Sequence, residues 1–435
     1  MRIGVKVRLG LLTGLCIAFL GVPGSPLRAS DAPGFDARLV DLVATGQVAE
    51  AQALLEETNP SPEDRAFLRG RVLKANGQFE AAIAVFRSIL QRVPTYINAR
   101  RELAHTLLLH GDFRAASHHF RALLQVDPDP RMRQSYHIFL SEIDREQPLG
   151  IAGHFAMLPS TNINRGTMNT VFDPGNPNIP PSRITSRAAS GVGLLLGLSG
   201  YLRHPLSRTD RLVFDWSVTG RGYEDAIHNS ATLSLGARYQ RRAVQYQWFV
   251  GPYARKTWRE DDDDNSAIGL QAGLDRRIGA RTSVFVQTSY EERTYPDAAP
   301  LDGPFFSGSG GVAFSPRPDL TFVGGVRLDE SRPNALHQNY TSGAVFGRVI
   351  KQWPGGLTTG MSFEIGTRDY KDTFPLTSRT RGDEFLRIDA SFQNANLDWR
   401  GFTPVLTCSH TVNRSNIAFF DYDVSECQIG LTRNF

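Results

Sequence analysis

The chain has 435 residues, 41% of them hydrophobic, with a mean hydropathy of −0.27, a polar average that argues against a bundle of membrane helices. It carries 48 Lys+Arg against 44 Asp+Glu, but residues 1–29 hold Arg2, Lys6, Arg8 and Arg28 and no acid, which leaves 44 of each sign beyond them. The basic pI near 9.0 therefore belongs to the first segment and is no ground for nucleic-acid binding.

That first segment has its own grammar. Arg2, Lys6 and Arg8 precede an apolar stretch, Leu9 to Leu20, and small and turn-forming residues follow up to Ala29. This order predicts a secretory signal peptide over 1–29, cleaved after Ala29. The apolar stretch is short of the roughly 20 residues that a spanning helix needs. Cys16 follows Leu15, a poor context for lipidation. The mature protein is expected outside the cytoplasm.

From 36 to 147 the sequence repeats. GQFEAAIAVFRSILQRVP starts at Gly77 and GDFRAASHHFRALLQVDP at Gly111, an offset of 34 residues. Phe79 maps to Phe113, Ala82 to Ala116, Phe86 to Phe120 and Pro94 to Pro128. A weaker copy begins at Gly46. The period resembles the tetratricopeptide repeat, a pair of antiparallel helices. Gly77 and Gly111 turn the chain between helices, Ala82 and Ala116 allow close approach, Phe86 and Phe120 fill the gap, and Pro94 and Pro128 stop the second helix. Residues 131–146 read as a capping helix. Such a stack binds a partner on its concave side or serves as a spacer. His105, His110, His118, His119 and His137 read as exposed helix residues, not a metal site.

After Pro148 the period changes from 3.6 to 2, and all five tryptophans lie beyond this point. In 212–221, Leu212, Phe214, Trp216 and Val218 alternate with Val213, Asp215, Ser217, Thr219 and Arg221. Fourteen such segments can be placed between 149 and 435, the first near 149–157 and the last near 422–435. Short connectors alternate with long ones, the longest near 158–187. An even number of alternating strands with short turns on one side and long loops on the other predicts a fourteen-stranded antiparallel transmembrane β-barrel over 149–435. The fold class is thus α+β multidomain, a tetratricopeptide-like α-solenoid followed by a barrel. The repeats and the short turns, Trp353 and Trp399 among them, are assigned to the periplasmic side.

Inward positions of this ladder include Asp215, Arg221, Arg238, Asp275, Glu291, Arg327, Asp329, Glu364, Arg387 and Asp389. They either brace the barrel as packed ion pairs or guide a translocating chain. Cys408 and Cys427 fall on outward rows of the last two strands, where they form a cross-strand disulfide or stay as lipid-facing thiols. In the last strand Ile429 and Leu431 share a face with Phe435, a pattern resembling the signal read by the bacterial barrel-assembly machinery. The run EDDDDN at 260–265 lacks the glycine and spacing of a calcium loop and reads as a solvated loop or a cation site bridging lipopolysaccharide. No nucleophile elbow, HExxH, Walker loop or CxxC pair occurs, and the glycine-rich 307–314 lies in a strand. No enzymatic activity, cofactor or metal is expected.

This architecture resembles the surface lipoprotein assembly modulators (Slam, type XI secretion). Local segments agree: PSTNIN at 159–164 after the first strand, and Ser415-Asn416, Tyr422, Gly430 and Phe435 in the closing hairpin. The resemblance implies a Gram-negative outer-membrane translocon that exports surface lipoproteins or related soluble effectors. Its partners would be that client, outer-membrane lipid and lipopolysaccharide, the barrel-assembly machinery and periplasmic chaperones. The alternative is an exopolysaccharide exporter, which also joins repeats to a barrel.

Overall fold

A computed structural model of the chain describes residues 42, 45, 47–57, 61–127, 129–175, 178–185, 187–207, 209–260, 264–375, 377–394, 397 and 402–433. The predicted signal peptide, Gly46, Pro128, Trp399 and Phe435 lie outside these residues. The chain divides into two compact units, Met1–Pro60 and Ser61–Phe435. The first contributes helix α1 (Val48–Glu57). The second holds α2 (Pro62–Ala75), α3 (Phe79–Arg92), α4 (Ile97–His110), α5 (Phe113–Val126), α6 (Pro130–Glu146) and the sheet. None of the described helices is long and apolar enough to cross a membrane.

Local chemistry sets the helix ends. Ser61 and Asp64 form a reciprocal capping box before α2, with Pro62 in the first turn. Gly111 ends α4 with φ of 84°, a left-handed conformation that glycine adopts without steric penalty. Asp112 and Asp129 then cap α5 and α6 by accepting from the backbone N–H of Ala115 and Arg131. Helix α3 stops at Arg92, two residues before Pro94.

The repeat residues form the core between these helices. Ala82, Phe86, Ala116 and Phe120 are buried, while Phe79 and Phe113 are half-buried. A Cβ at Gly70 would lie 2.6 Å from the Phe86 ring, which explains the small residue there. Polar clamps join successive repeats. The Tyr96 hydroxyl donates to Asp64 at 2.7 Å, and buried Asp127 accepts from Arg101 (2.8 and 2.9 Å) and from the Tyr136 hydroxyl (2.6 Å).

The sheet is a closed antiparallel barrel of fourteen strands: β1 (Leu149–Ser160), β4 (Gly191–Pro205), β5 (Asp210–Gly222), β6 (Ser230–Arg242), β7 (Tyr246–Arg259), β8 (Asn265–Arg277), β9 (Thr282–Thr294), β10 (Gly303–Arg317), β11 (Leu320–Ser331), β12 (Tyr340–Gln352), β13 (Leu357–Thr373), β14 (Thr380–Asn394), β15 (Phe402–Ser415) and β16 (Tyr422–Arg433). Each pairs with its chain neighbour, and β1 closes the ring on β16, with Phe155 opposite Leu431 and Met157 opposite Ile429. One row of each strand turns apolar side chains outward: Leu194, Leu196 and Leu198 on β4, and Phe214 and Val218 on β5, are all more than two-fifths exposed. That band is the outer surface of a transmembrane β-barrel. The glycine-rich 307–314 lies within β10, and a Cβ at Gly311 would lie 2.3 Å from the Gly324 carbonyl.

The longest loop, between β1 and β4, departs from the reading of plain loop. It carries a small hairpin of β2 (Val171–Phe172) and β3 (Ser182–Arg183). Phe172 and Ile184 pack on Ile417 of the β15–β16 loop. Buried Asn162 ties the loop down, its amide donating to the Gly166 and Asp423 carbonyls and its oxygen accepting from the Gly166 N–H. Asn416 likewise bridges to Gly382 and Thr380. These asparagines belong to the two segments that carry the family resemblance, and each holds one long loop to the next.

Phe86→Ala removes a wholly buried ring and should cost about 3–5 kcal/mol. Limited proteolysis of the full chain should then cut within 61–146 at lower protease concentration, while the barrel keeps its resistance.

Candidate functional site

The helices α2–α6 meet the barrel at its short-turn end, and one carboxylate organises the contact. Asp144 of α6 is buried and accepts from Arg203 of β4 (3.0 Å) and from Arg211 of β5, with Arg242 of β6 at 3.9 Å. Arg211 also donates to Gln240 at 2.8 Å. Farther round the rim, the Arg277 guanidinium of β8 donates to the Leu124 and Gln125 carbonyls in the last turn of α5. Helix-end carbonyls lack partners within the helix and sit at the negative end of its dipole, so a cation satisfies both needs. At the β12–β13 turn, Arg100 donates to Gln352 (3.1 Å) and the Gly355 N–H to the Gln91 carbonyl (2.7 Å).

These contacts fix where the stack lies. In the closed ring of fourteen strands, the β4–β5 and β12–β13 turns are eight strands apart one way round and six the other. A body touching both touches nearly opposite points of the rim. The helical stack therefore lies across the short-turn mouth.

The contact is polar and unbalanced. Arg203, Arg211 and Arg242 converge on the single Asp144. Arg121 of α5, within electrostatic reach of Arg203 and Asp144, buries Nε and Nη2 without a hydrogen-bond partner. Burial, then Arg242, Arg133 and Arg211, pushes the His137 imidazole down to about 4. Burial also holds the His119 imidazole well below its usual range. The reading of the histidines as exposed is corrected here. His110 and His118 are exposed, but His105, His119 and His137 are half-buried, because α4–α6 pack on both the neighbouring repeat and the barrel. Among the described residues no group of three or more His, Cys, Asp or Glu is placed to hold a metal ion.

Strand alternation turns the ten lumen candidates inward, and most are paired. Arg238 donates to Asp215 at 3.0 Å across β5–β6. Arg327 reaches Glu364 at 2.9 Å, Arg387 reaches Asp389 at 2.8 Å, and the Ser307 hydroxyl donates to Asp329 at 2.6 Å. Glu291, 2% exposed, accepts from Tyr253, Arg255 and Arg293. Among the described residues, Arg221, Asp275 and Asp329 are in no ion pair, Asp329 accepting only from the Ser307 hydroxyl. Cys408 and Cys427 stand opposite each other on outward rows, 4.0 Å apart at Cα, and are joined as a disulfide. Ile429 and Leu431 point outward, 55% and 45% exposed. In the acidic run, residues 261–263 lie outside the described residues, and Asp264 accepts from the Arg259 N–H.

Sequence reasoning missed the mouth. Asp144 looked like one more acid on an amphipathic capping helix. Its partners did leave a signal, arginines at strand ends beside the short turns: Arg203, Arg211, Arg242 and Arg277.

A family model for "surface lipoprotein assembly modifier" matches residues 151–435, nearly the whole barrel. The chain belongs to this family. A tetratricopeptide repeat model matches residues 73–135. Surface lipoprotein assembly modifier 1 of Haemophilus influenzae is 20% identical over 91% of this chain and 84% of its own length. The surface lipoprotein assembly modifier of Pasteurella multocida is 21% identical over 87% and 77%. Among solved structures, the outer membrane channel DcaP of Acinetobacter baumannii aligns with a TM-score of 0.38 at 11% identity, over 66% of this chain and 97% of that one.

Asp144→Asn leaves three arginines without their carboxylate. It should loosen the helix–barrel contact by about 3–5 kcal/mol, seen as faster hydrogen exchange in α6 with the barrel strands unchanged. Acid should act in the same direction. His137 holds its proton less tightly docked (about 4) than free (6.5), so undocking takes up a proton and docking weakens as pH falls from 6.5 towards 4. His137→Gln should remove this residue's share of that pH dependence.

Proposed function

We propose that the chain is an outer-membrane translocon that exports surface lipoproteins or related soluble effector proteins and acts without enzymatic chemistry. The observation that carries this reading is the position of the helical stack across the short-turn mouth. A client entering from that side meets the repeats before it meets the lumen. The short turns and helices lie in the periplasm, and the long loops face outward, as short turns do in outer-membrane barrels. Repeat stacks present concave surfaces that hold extended segments, so α2–α6 gather the client or the chaperone that carries it. The polar, unbalanced contact around Asp144 supports a stack that moves aside, because buried charge and unsatisfied donors regain water when it opens. Lipid and lipopolysaccharide surround the apolar band. The barrel-assembly machinery inserts the chain by its last strand, Ile429, Leu431 and Phe435 included.

Deletion of 36–147 tests the docking role. With a candidate client co-expressed, protease accessibility on intact cells should show loss of client display, while the barrel remains inserted and heat-modifiable. Normal display after the deletion would sink the docking role.

A further inference from the structure

The lumen wall has a charge bias that ion pairing does not absorb. Over the regularly paired strand residues, thirteen inward positions are arginine, eight are aspartate or glutamate, and none is lysine. The three lysines of the barrel strands, Lys256, Lys351 and Lys371, fall on outward rows near strand ends. Two inward arginines, Arg221 on β5 and Arg348 on β12, are exposed and, among the described residues, lie in no ion pair, as do the inward acids Asp275, Asp329 and Glu426. Arg327 and Arg387 pair with carboxylates yet keep side chains 43% and 50% exposed. Gln287, also inward, is exposed, so water reaches this wall. Four of the thirteen, Arg203, Arg211, Arg242 and Arg277, stand at the mouth, the first three around the single Asp144, so the excess is concentrated where a cargo would enter.

Bracing alone does not require this. A brace needs a carboxylate in reach, and Arg221 and Arg348 have none among the described residues. A low-dielectric channel whose charges sum to one sign focuses the field along its axis and concentrates the opposite sign. Guanidinium also keeps its charge in any surroundings and takes carboxylates through two parallel hydrogen bonds, which ammonium does not. We infer that the lumen is a conduit for an acidic polypeptide segment, whose aspartates and glutamates pass from the mouth arginines to Arg348, Arg327, Arg387 and Arg221. This rests on the translocon reading, which supplies a protein as the cargo; the wall supplies its charge.

The test uses the purified full-length protein in detergent and labelled peptides followed by fluorescence anisotropy. Polyglutamate should bind about tenfold more tightly than polylysine, and salt should abolish the difference. The double variant Arg221→Gln/Arg348→Gln should weaken polyglutamate binding several-fold, with heat-modifiability of the barrel unchanged. Equal binding of polyglutamate and polylysine overturns the inference. So does polyglutamate binding that the double variant leaves untouched, which puts the site outside the lumen. Polygalacturonate binding in place of polyglutamate overturns it in favour of an acidic glycan. In cells, the same double variant should slow display of a client with an acidic segment and spare one whose acids are changed to Gln and Asn. If both clients are displayed equally by wild type and variant, the charge inference fails and the translocon reading stands. If wild type displays neither, the translocon reading itself fails.

Discussion

A strand that crosses lipid has no water for its backbone N–H and C=O groups, and the sheet must close on itself to satisfy them. Everything else in this protein follows from that closure. β1 must find β16 across the whole length of the barrel sequence, and the seam is tight enough that a Cβ at Gly430 would lie 2.6 Å from the Phe155 carbonyl. Closure also divides each strand into a lipid row and a water row. That is why a chain with a mean hydropathy of −0.27 carries a membrane domain.

The water row then has a problem of its own. Charged side chains inside a narrow wall are partly desolvated, so carboxylates such as Glu291 and Asp383 collect several donors each. Arginine fills this role because its planar fork reaches two acceptors and stacks on rings, as Arg293 does over Phe305 and Arg381 over Phe420. The resulting wall is braced where guanidinium and carboxylate meet.

The mouth combines the two parts under the same physics. A helical stack held by apolar packing on the rim would be a permanent plug. This one is held by Asp144, by carbonyls at the end of α5 and by a few hydrogen bonds, with the buried Nε and Nη2 of Arg121 left unsatisfied. Such a contact has a high cost if one partner is removed and a low cost if the whole surface returns to water.

Much of this was legible in the sequence because it depends on local periodicity. The 34-residue offset marks Phe86 and Phe120 as core, and the period of two places Asp215, Arg327 and Arg387 inside and Cys408 and Cys427 outside. The alternation of connector lengths gives the strand count and the two ends. The tertiary structure decided what depends on distance in sequence. Asp144 meets Arg203 and Arg211 across 59 and 67 residues, and Arg100 meets Gln352 across 252. None of these three spacings has a periodic signature, since the partners sit on different elements whose relative placement is set by the closed ring. Which arginines stay unpaired is likewise invisible in one dimension, because pairing depends on which strands become neighbours and how deep each side chain lies. The sequence alone determined a repeat stack and a barrel. Only the fold decided that the stack lies across the mouth and that the lumen keeps an excess of positive charge.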